Sequence, residues 1–177
     1  MDAIVLAGGM ARRMGGRDKA MLEIGGRTLI DRVLDALPRE GTIVVVGPRR
    51  DIERPVLWTR EEPAGGGPVA ALGAGLSRVD ADRVAVAAVD HPFLTAATYD
   101  RLAVAAQGHD GAIAADASGR DQYLVGVYET DPLRSALAGR RALRDVVAGL
   151  DLARVTDVRA SFDIDTEADL TKGQGDV

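Results

Sequence analysis

The fold is decided by Ala3-Ile4-Val5-Leu6-Ala7-Gly8-Gly9, five apolar residues that run directly into two glycines. A continuous apolar run of this length is typical of a strand that is buried on both faces of a sheet. It is too short for a signal peptide or a membrane span, and no basic region precedes it. The sequence therefore predicts a buried first strand that ends in a glycine-rich loop.

Apolar runs of the same kind recur along the chain, and segments with helical spacing lie between most of them. Thr28 is the predicted cap of a first helix, which Pro38 stops. A second helix is predicted at about residues 68–78, and Thr95 is the predicted cap of a third. The predicted strands are residues 3–7, 42–46, 56–58, 84–89, 112–115 and 124–128.

Strands that alternate with helices in this order predict an α/β fold. Right-handed crossovers produce a mainly parallel sheet with helices on both faces, so we expect a three-layer, doubly wound architecture. The length of 177 residues suits a single domain over residues 1–177, with a disordered tail at residues 172–177. In such sheets ligands bind beyond the carboxyl ends of the strands, which is where we look for the site.

Composition and charge limit the classes of binding partner and the cellular compartment that we expect for the protein. Apolar residues make up 46% of the chain and charged residues 28%, as in ordinary globular proteins. The net charge of -5 provides no basic field that would hold a nucleic acid. The chain has no Cys, which fits a reducing compartment. We therefore expect a cytoplasmic protein with no nucleic-acid partner and no membrane partner.

The loop at residues 6–19 has the composition of a triphosphate cradle, with four glycines and four cations. Glycines let backbone N–H groups approach an anion, and Arg13 and Lys19 can neutralise phosphate charge. No Gly-Lys-Ser/Thr ends the loop, so it is not a Walker A loop. A dinucleotide-binding fold carries an acidic residue after its second strand, but here Gly47-Pro48 stands at that place. The sequence therefore disfavours a dinucleotide-dependent oxidoreductase. On these residues alone, a mobile surface loop is the alternative.

A resemblance to a known family favours a triphosphate-binding loop over a mobile surface loop. Leu6-Ala7-Gly8-Gly9 followed by Arg13-Met14-Gly15-Gly16-x-Asp18-Lys19 resembles the signature of the molybdenum cofactor guanylyltransferases, bacterial enzymes that join GMP to molybdopterin. The similarity extends from residue 4 to about residue 170 and implies a Rossmann-like fold of the nucleotide-diphospho-sugar transferase type. Its further motifs are Glu61-x-Pro63-x-Gly65-x-Gly67-Pro68, Asp90-x-Pro92-Phe93-Leu94 and Asp163-Ile164-Asp165-Thr166-x-x-Asp169-Leu170.

The resemblance also implies roles for individual residues. The family pattern implies that Lys19 contacts phosphate and that Asp90 binds Mg²⁺. Glu61, followed by Glu62, stands where the family usually carries an aspartate near the nucleoside, and Gly47 stands where relatives present an asparagine. The residues whose backbone would meet the guanine nucleotide are Leu6, Ala7, Gly8 and Gly9.

Asp90 is also a candidate from its position alone, because it directly follows an apolar strand. Such a carboxylate often only caps the next helix, but Thr95 is the better cap here, which leaves Asp90 free to face the crevice. A carboxylate there suits Mg²⁺, which combines a few protein oxygens with substrate phosphates. We interpret His91 as a packed or hydrogen-bonded neighbour of Pro92 and not as a catalytic residue.

The last candidates are Asp163 and Asp165, which stand where guanylyltransferases often carry asparagines. Residues 161–165 alternate as a strand does, so both carboxylates are predicted to lie on one side of the chain. Either aspartate could give the magnesium a second oxygen ligand from across the crevice. Alternatively, Asp165 only assists Thr166 in capping a helix that begins near Glu167.

These residues suit nucleotidyl transfer. Glycine N–H groups, Arg13, Lys19 and a magnesium ion on Asp90 would stabilise the leaving pyrophosphate, and an ionised acceptor phosphate needs no general base. We expect transfer of GMP from GTP to molybdopterin, and transient contact with molybdoenzyme-maturation proteins. The alternatives are a molybdenum cofactor cytidylyltransferase, another small-phosphate nucleotidyltransferase, and a non-catalytic nucleotide-binding regulatory domain. Sugar-phosphate nucleotidyltransferases are generally longer chains.

Overall fold

A computed structural model describes residues 1–8, 10–11 and 16–175 of the chain. It contains the sheet and helices that the apolar runs predict, together with several short elements. In chain order the elements are β1 (Asp2–Leu6), β2 (Met10–Ala11), β3 (Arg17–Asp18), a 3-10 helix (Lys19–Met21), β4 (Glu23–Ile24), β5 (Arg27–Thr28), α1 (Leu29–Ala36), β6 (Ile43–Val46), β7 (Leu57–Thr59), α2 (Gly67–Leu76), β8 (Arg83–Ala88), α3 (Ala96–Ala105), β9 (Gly111–Ala115), β10 (Asp121–Glu129), α4 (Thr130–Leu137), α5 (Leu143–Val147), β11 (Leu152–Thr156) and α6 (Glu167–Gly175).

The main sheet has seven strands in the order β11-β9-β10-β8-β1-β6-β7. Only β10 among them runs antiparallel to its two neighbours. The β1 strand lies between β8 and β6 and is parallel to both. The prediction of an α/β, mainly parallel sheet is confirmed.

Alternate residues of β1 pack on opposite faces of the sheet, which produces the three layers. Ala3 and Val5 belong to a core shared with α1 and α3. Ile4 and Leu6 belong to a second core, shared with α2, α4 and α5. Side chains along a strand point alternately to its two faces, and β1 is buried on both. An unbroken apolar run in the sequence is the consequence.

Two helix starts lie where the sequence places them. The Thr28 hydroxyl accepts the backbone N–H of Asp31 at 3.2 Å and caps α1. The Thr95 hydroxyl accepts the backbone N–H of Thr98 at 3.2 Å and caps α3. Each hydroxyl satisfies one of the backbone donors that a helix leaves free in its first turn.

Other parts of the chain differ from the sequence-based expectation. The β11 strand was missed because its residues are half-buried or exposed at the sheet edge and form no continuous apolar run. Residues 172–175, expected in a disordered tail, continue α6. Residues 162–165 form no regular strand.

None of the described helices is both long enough and apolar enough to cross a membrane.

The amino-terminal end of β1 is fixed by Asp2. Its buried carboxylate accepts the backbone N–H groups of Thr42, Asp80 and Ala81, at 2.8, 3.1 and 3.2 Å. Burial alone would raise the pKa of Asp2, but these backbone donors lower it below its ordinary value. This contact joins the segments that lead into β6 and β8 to the first residue of the central strand.

Candidate active site

The carboxyl ends of β1, β6 and β8 lie side by side, since Leu6 is in register with Val46 and with Ala88. Gly47 follows β6 and packs against the peptide between Ala7 and Gly8. A Cβ atom on Gly47 would lie 2.7 Å from the Ala7 carbonyl oxygen, and the Gly47 φ is +153°. An asparagine therefore cannot stand here without moving the start of the loop, which explains why this chain carries glycine.

Lys19 is buried at this edge of the sheet, at the start of the 3-10 helix that Asp18 caps. Its Nζ lies 2.7 Å from Asp165 Oδ1 and 3.4 Å from Asp90 Oδ2. Burial alone would lower the pKa of Lys19, but the two carboxylates outweigh it and raise the pKa above its ordinary value. The ammonium therefore stays charged throughout the neutral range.

The Asp90 carboxylate is incompletely satisfied. Its Oδ1 is buried, accepts no hydrogen bond from the described residues, and lies 3.7 Å from His91 Nε2. The side chain as a whole is 30% exposed, and its Oδ2 faces Lys19. A buried carboxylate oxygen without a donor is unusual, and a bound cation would satisfy it. The carboxylate thus fits the role of a metal ligand.

Within residues 1–8, 10–11 and 16–175, no group of three or more His, Cys, Asp or Glu residues is arranged to hold a metal. A metal ion at Asp90 would therefore take most of its ligands from substrate and water. This is the usual coordination of Mg²⁺, which retains several waters and binds through one or two carboxylates and substrate phosphates.

The segment that carries Asp165 is held against the end of β8 by two hydrogen bonds. The Ile164 N–H donates to the Asp90 carbonyl oxygen at 2.9 Å. His91 Nδ1 lies 3.1 Å from the Ala160 carbonyl oxygen. Ile164 is fully buried whereas Asp165 is exposed, so the predicted alternation is present although the segment is irregular. Asp165 is thereby presented to Lys19.

Asp163 and Asp165 have different contacts. Asp163 is exposed, and its carboxylate is not within ion-pair distance of Lys19. The Asp169 N–H donates to the Thr166 hydroxyl at 3.2 Å, and the Thr166 N–H donates to Asp169 Oδ2 at 2.8 Å. This reciprocal pair caps α6. The Asp165 carboxylate contacts Lys19 instead of assisting the cap.

Glu61 follows β7 and lies near Gly8. Its Oε1 accepts the Gly65 N–H at 3.0 Å, and a Cβ atom on Gly8 would lie 3.8 Å from the same oxygen. Glu61 therefore holds its own loop and faces Gly8, whereas Glu62 is exposed. Two other predicted site residues, Gly9 and Arg13, lie outside the described residues. Their roles stay predictions.

Sequence reasoning missed one residue of this edge, Arg50. Its guanidinium is almost fully buried and pairs with both carboxylate oxygens of Asp18, each at 2.7 Å. The signal was its position, because Arg50 follows β6 at the carboxyl edge where ligands bind in this architecture.

Gly8, the Lys19 ammonium and the Asp90 carboxylate lie at the carboxyl edge of a mainly parallel sheet, an arrangement that suits a nucleotidyltransferase. A family model described as the MobA-like NTP transferase domain matches residues 3–155. The chain belongs to the MobA-like NTP transferase family.

Individual relatives agree with this assignment. The chain is 36% identical to a molybdenum cofactor guanylyltransferase of Mesorhizobium japonicum, over 87% of this chain and 76% of the relative. It is 33% identical to one of a Bradyrhizobium species, over 94% of this chain and 80% of the relative. The solved structure of a molybdopterin-guanine dinucleotide biosynthesis protein A from Archaeoglobus fulgidus has the same fold, with a TM-score of 0.77 and 22% identity over 99% of this chain and 97% of that one.

Proposed function

We propose that the protein transfers GMP from GTP to the phosphate of molybdopterin, with or without molybdenum, and releases pyrophosphate. The observation that carries this proposal is the placement of the Lys19 ammonium between Asp90 and Asp165, at the carboxyl edge of the sheet and directly after the glycine-rich sequence. The relatives named above as molybdenum cofactor guanylyltransferases support the choice of substrates. We further propose a cytoplasmic location and transient contacts with molybdoenzyme-maturation proteins.

Lys19 is the residue that we assign to the phosphates. Its ammonium is charged at neutral pH and buried, so its field is weakly screened by water. A fixed cation of this kind stabilises charge that builds on a leaving pyrophosphate without having to reorganise during the reaction. The Ala7 N–H already donates to the Val46 carbonyl oxygen at 2.8 Å. The backbone N–H groups of Gly8 and Gly9, together with Arg13, would therefore complete the binding site for the triphosphate.

Asp90 is the residue that we assign to Mg²⁺, with Asp165 as a second oxygen ligand. When bound there, the ion would neutralise part of the charge on the phosphates. Without a ligand, Lys19 is the counterion of both carboxylates. A triphosphate that approached two carboxylates and one ammonium would meet a net negative charge. We therefore expect nucleotide binding to depend strongly on the divalent cation.

The remaining task is to align the two substrates. A phosphate monoester is already ionised at neutral pH, so its attack on the α-phosphorus needs no general base. Holding both groups in line lowers the barrier by removing the entropy cost of bringing them together. His91 is engaged with Ala160, which suits a structural role beside Asp90 and not proton transfer.

Other assignments remain candidates for this site. The aspartates at positions 163 and 165 stand where guanylyltransferases often have asparagines, which favours a cytidylyltransferase or another small-phosphate nucleotidyltransferase as the second candidate. A non-catalytic regulatory domain would need no pairing of Lys19 with Asp90 and Asp165, so that pairing favours an enzyme.

Base preference gives the direct test of the proposed function. With Mg²⁺ present, GTP should raise the melting temperature at lower concentrations than CTP, because stabilisation follows RT ln(1 + [L]/Kd). The matching assay incubates the protein with each of the four radiolabelled triphosphates, with and without molybdopterin, and measures pyrophosphate and dinucleotide. Dinucleotide should form only with GTP and molybdopterin together. A preference for CTP in both measurements would assign the protein to the cytidylyltransferases.

The role of Asp165 gives a second prediction. Asp165→Asn should raise the Mg²⁺ concentration needed for half-maximal activity by roughly tenfold or more, because it removes a negative oxygen near the ion. Melting without ligands should change little, since Asp165 is exposed and its carboxylate is not part of the α6 cap. Asp163→Asn removes the same charge from the same segment and serves as the matched control. An unchanged magnesium dependence in Asp165→Asn would contradict its assignment as a metal ligand.

A further inference from the structure

Arg50 uses all three nitrogens of its guanidinium at one place. Nε and Nη2 each donate to one oxygen of Asp18 at 2.7 Å, in the bidentate geometry that fits a carboxylate. Nη2 also donates to the Ala7 carbonyl oxygen at 3.0 Å, and Nη1 donates to the Pro48 carbonyl oxygen at 3.0 Å. The side chain is only 7% exposed, although Asp18 itself is 43% exposed.

These contacts join the two ends of the glycine-rich loop. Ala7 lies at the start of the loop, directly after β1 ends at Leu6, and Asp18 directly precedes Lys19 at its end. Asp18 also accepts the Ala20 N–H at 3.2 Å, which caps the 3-10 helix that begins with Lys19. Arg50 therefore fixes the position at which the loop leaves β1 and the position of Lys19 at the end of the loop.

The contact with Ala7 also sets the direction of a potential ligand donor. The peptide between Ala7 and Gly8 is trans and planar, so its N–H points away from its carbonyl oxygen. Because Arg50 binds that carbonyl, the Gly8 N–H is directed away from Arg50. A cation on the carbonyl oxygen also polarises the peptide and strengthens its N–H as a donor.

We propose that Arg50 is a positioning residue, which holds the phosphate-binding loop and Lys19 in the geometry that binds the triphosphate before the nucleotide arrives. It acts through Asp18 and the Ala7 carbonyl and does not touch the substrate. This inference rests on the proposed function only in requiring that the loop binds a nucleoside triphosphate, whichever base that triphosphate carries.

The test compares Arg50→Met with Arg78→Met. Arg78 is exposed and lies near the amino-terminal edge of the sheet, before β8, so its replacement removes the same charge away from the loop. Arg50→Met should raise the KM for GTP by about tenfold or more, because a small misplacement of positioning groups is costly. The KM for molybdopterin should stay within about twofold, a split that a general loss of stability would not produce. Arg78→Met should match the wild type in both constants.

A double-mutant cycle with Asp18→Asn tests the route of the effect. If Arg50 acts through Asp18, the double variant should be no worse for GTP than Arg50→Met alone. Magnesium-dependent stabilisation by each of the four triphosphates supplies a readout that does not depend on turnover. An Arg50→Met protein that melts earlier yet retains the wild-type KM for GTP would overturn the inference. A wild type stabilised by a triphosphate but inactive with molybdopterin would overturn only the proposed substrates.

Discussion

Replacing Lys19 by methionine is expected to lower kcat by about a hundredfold or more, the effect of removing one preorganised group that stabilises charge in the transition state. Methionine keeps most of the length of the buried stem and loses only the charged end. Asp90 and Asp165 would lose their shared counterion, so nucleotide binding should also weaken through repulsion. Steady-state rates with GTP and molybdopterin measure the first effect, and titration calorimetry measures the second.

The chain provides its own control for this experiment. Lys172 is the only other lysine in the sequence, and it is exposed on α6 with its Nζ 5.2 Å from the Phe162 ring. Lys172→Met should leave kcat near the wild-type value. If Lys19→Met folds normally and retains activity, Lys19 does not stabilise the leaving group and the assignment of this site is wrong.

The second large effect is expected from Asp90→Asn. The amide keeps the size of the side chain, and the bond from the Ile164 N–H to the backbone carbonyl is untouched, so the fold should survive. Turnover should fall by about a hundredfold or more. Magnesium should also cease to tighten nucleotide binding, because a neutral oxygen is a far weaker ligand for a hard divalent cation. Nucleotide titrations with and without Mg²⁺ measure that coupling.

Loss of the magnesium coupling distinguishes Asp90 from Lys19, because Lys19→Met should weaken binding while leaving the response to magnesium in place. Asp100→Asn on the exposed side of α3 is a matched control for the loss of one carboxylate. An Asp90→Asn protein that still responds to magnesium as the wild type does would show that the ion binds elsewhere.

The sequence predicts those parts of the fold in which a local residue pattern is compatible with only one kind of structure. Ile4 and Val5 face different cores, so β1 had to be apolar throughout, and the run was visible. Thr28 and Thr95 cap their helices because a hydroxyl at that position satisfies a free backbone donor, which depends on neighbours in the chain.

The parts that sequence does not predict depend on contacts between distant segments. β11 has neither a continuous apolar run nor a strict alternation, because it pairs with one neighbour only and its surface is partly solvated. Lys19 and Asp165 are separated by 146 positions, and their contact follows from the path of the chain after β11. Arg50 resembles any loop arginine until Asp18 is brought beside it. The resemblance to the family made Lys19 and Asp90 candidate site residues, but it does not show what holds them in place.

The charge of the site is set partly outside the segment that defines the family. The matched domain ends at residue 155, and a chain cut after Thr156 would still contain every strand of the main sheet. It would lose Asp165, the carboxylate nearest to Lys19. The segment at residues 160–165 is held by the hydrogen bond from the Ile164 N–H to Asp90, by the contact of His91 with the Ala160 carbonyl oxygen, and by the burial of Ile164. Exposed positions in that segment, Asp165 among them, can therefore change the charge beside Lys19 without altering the buried strands.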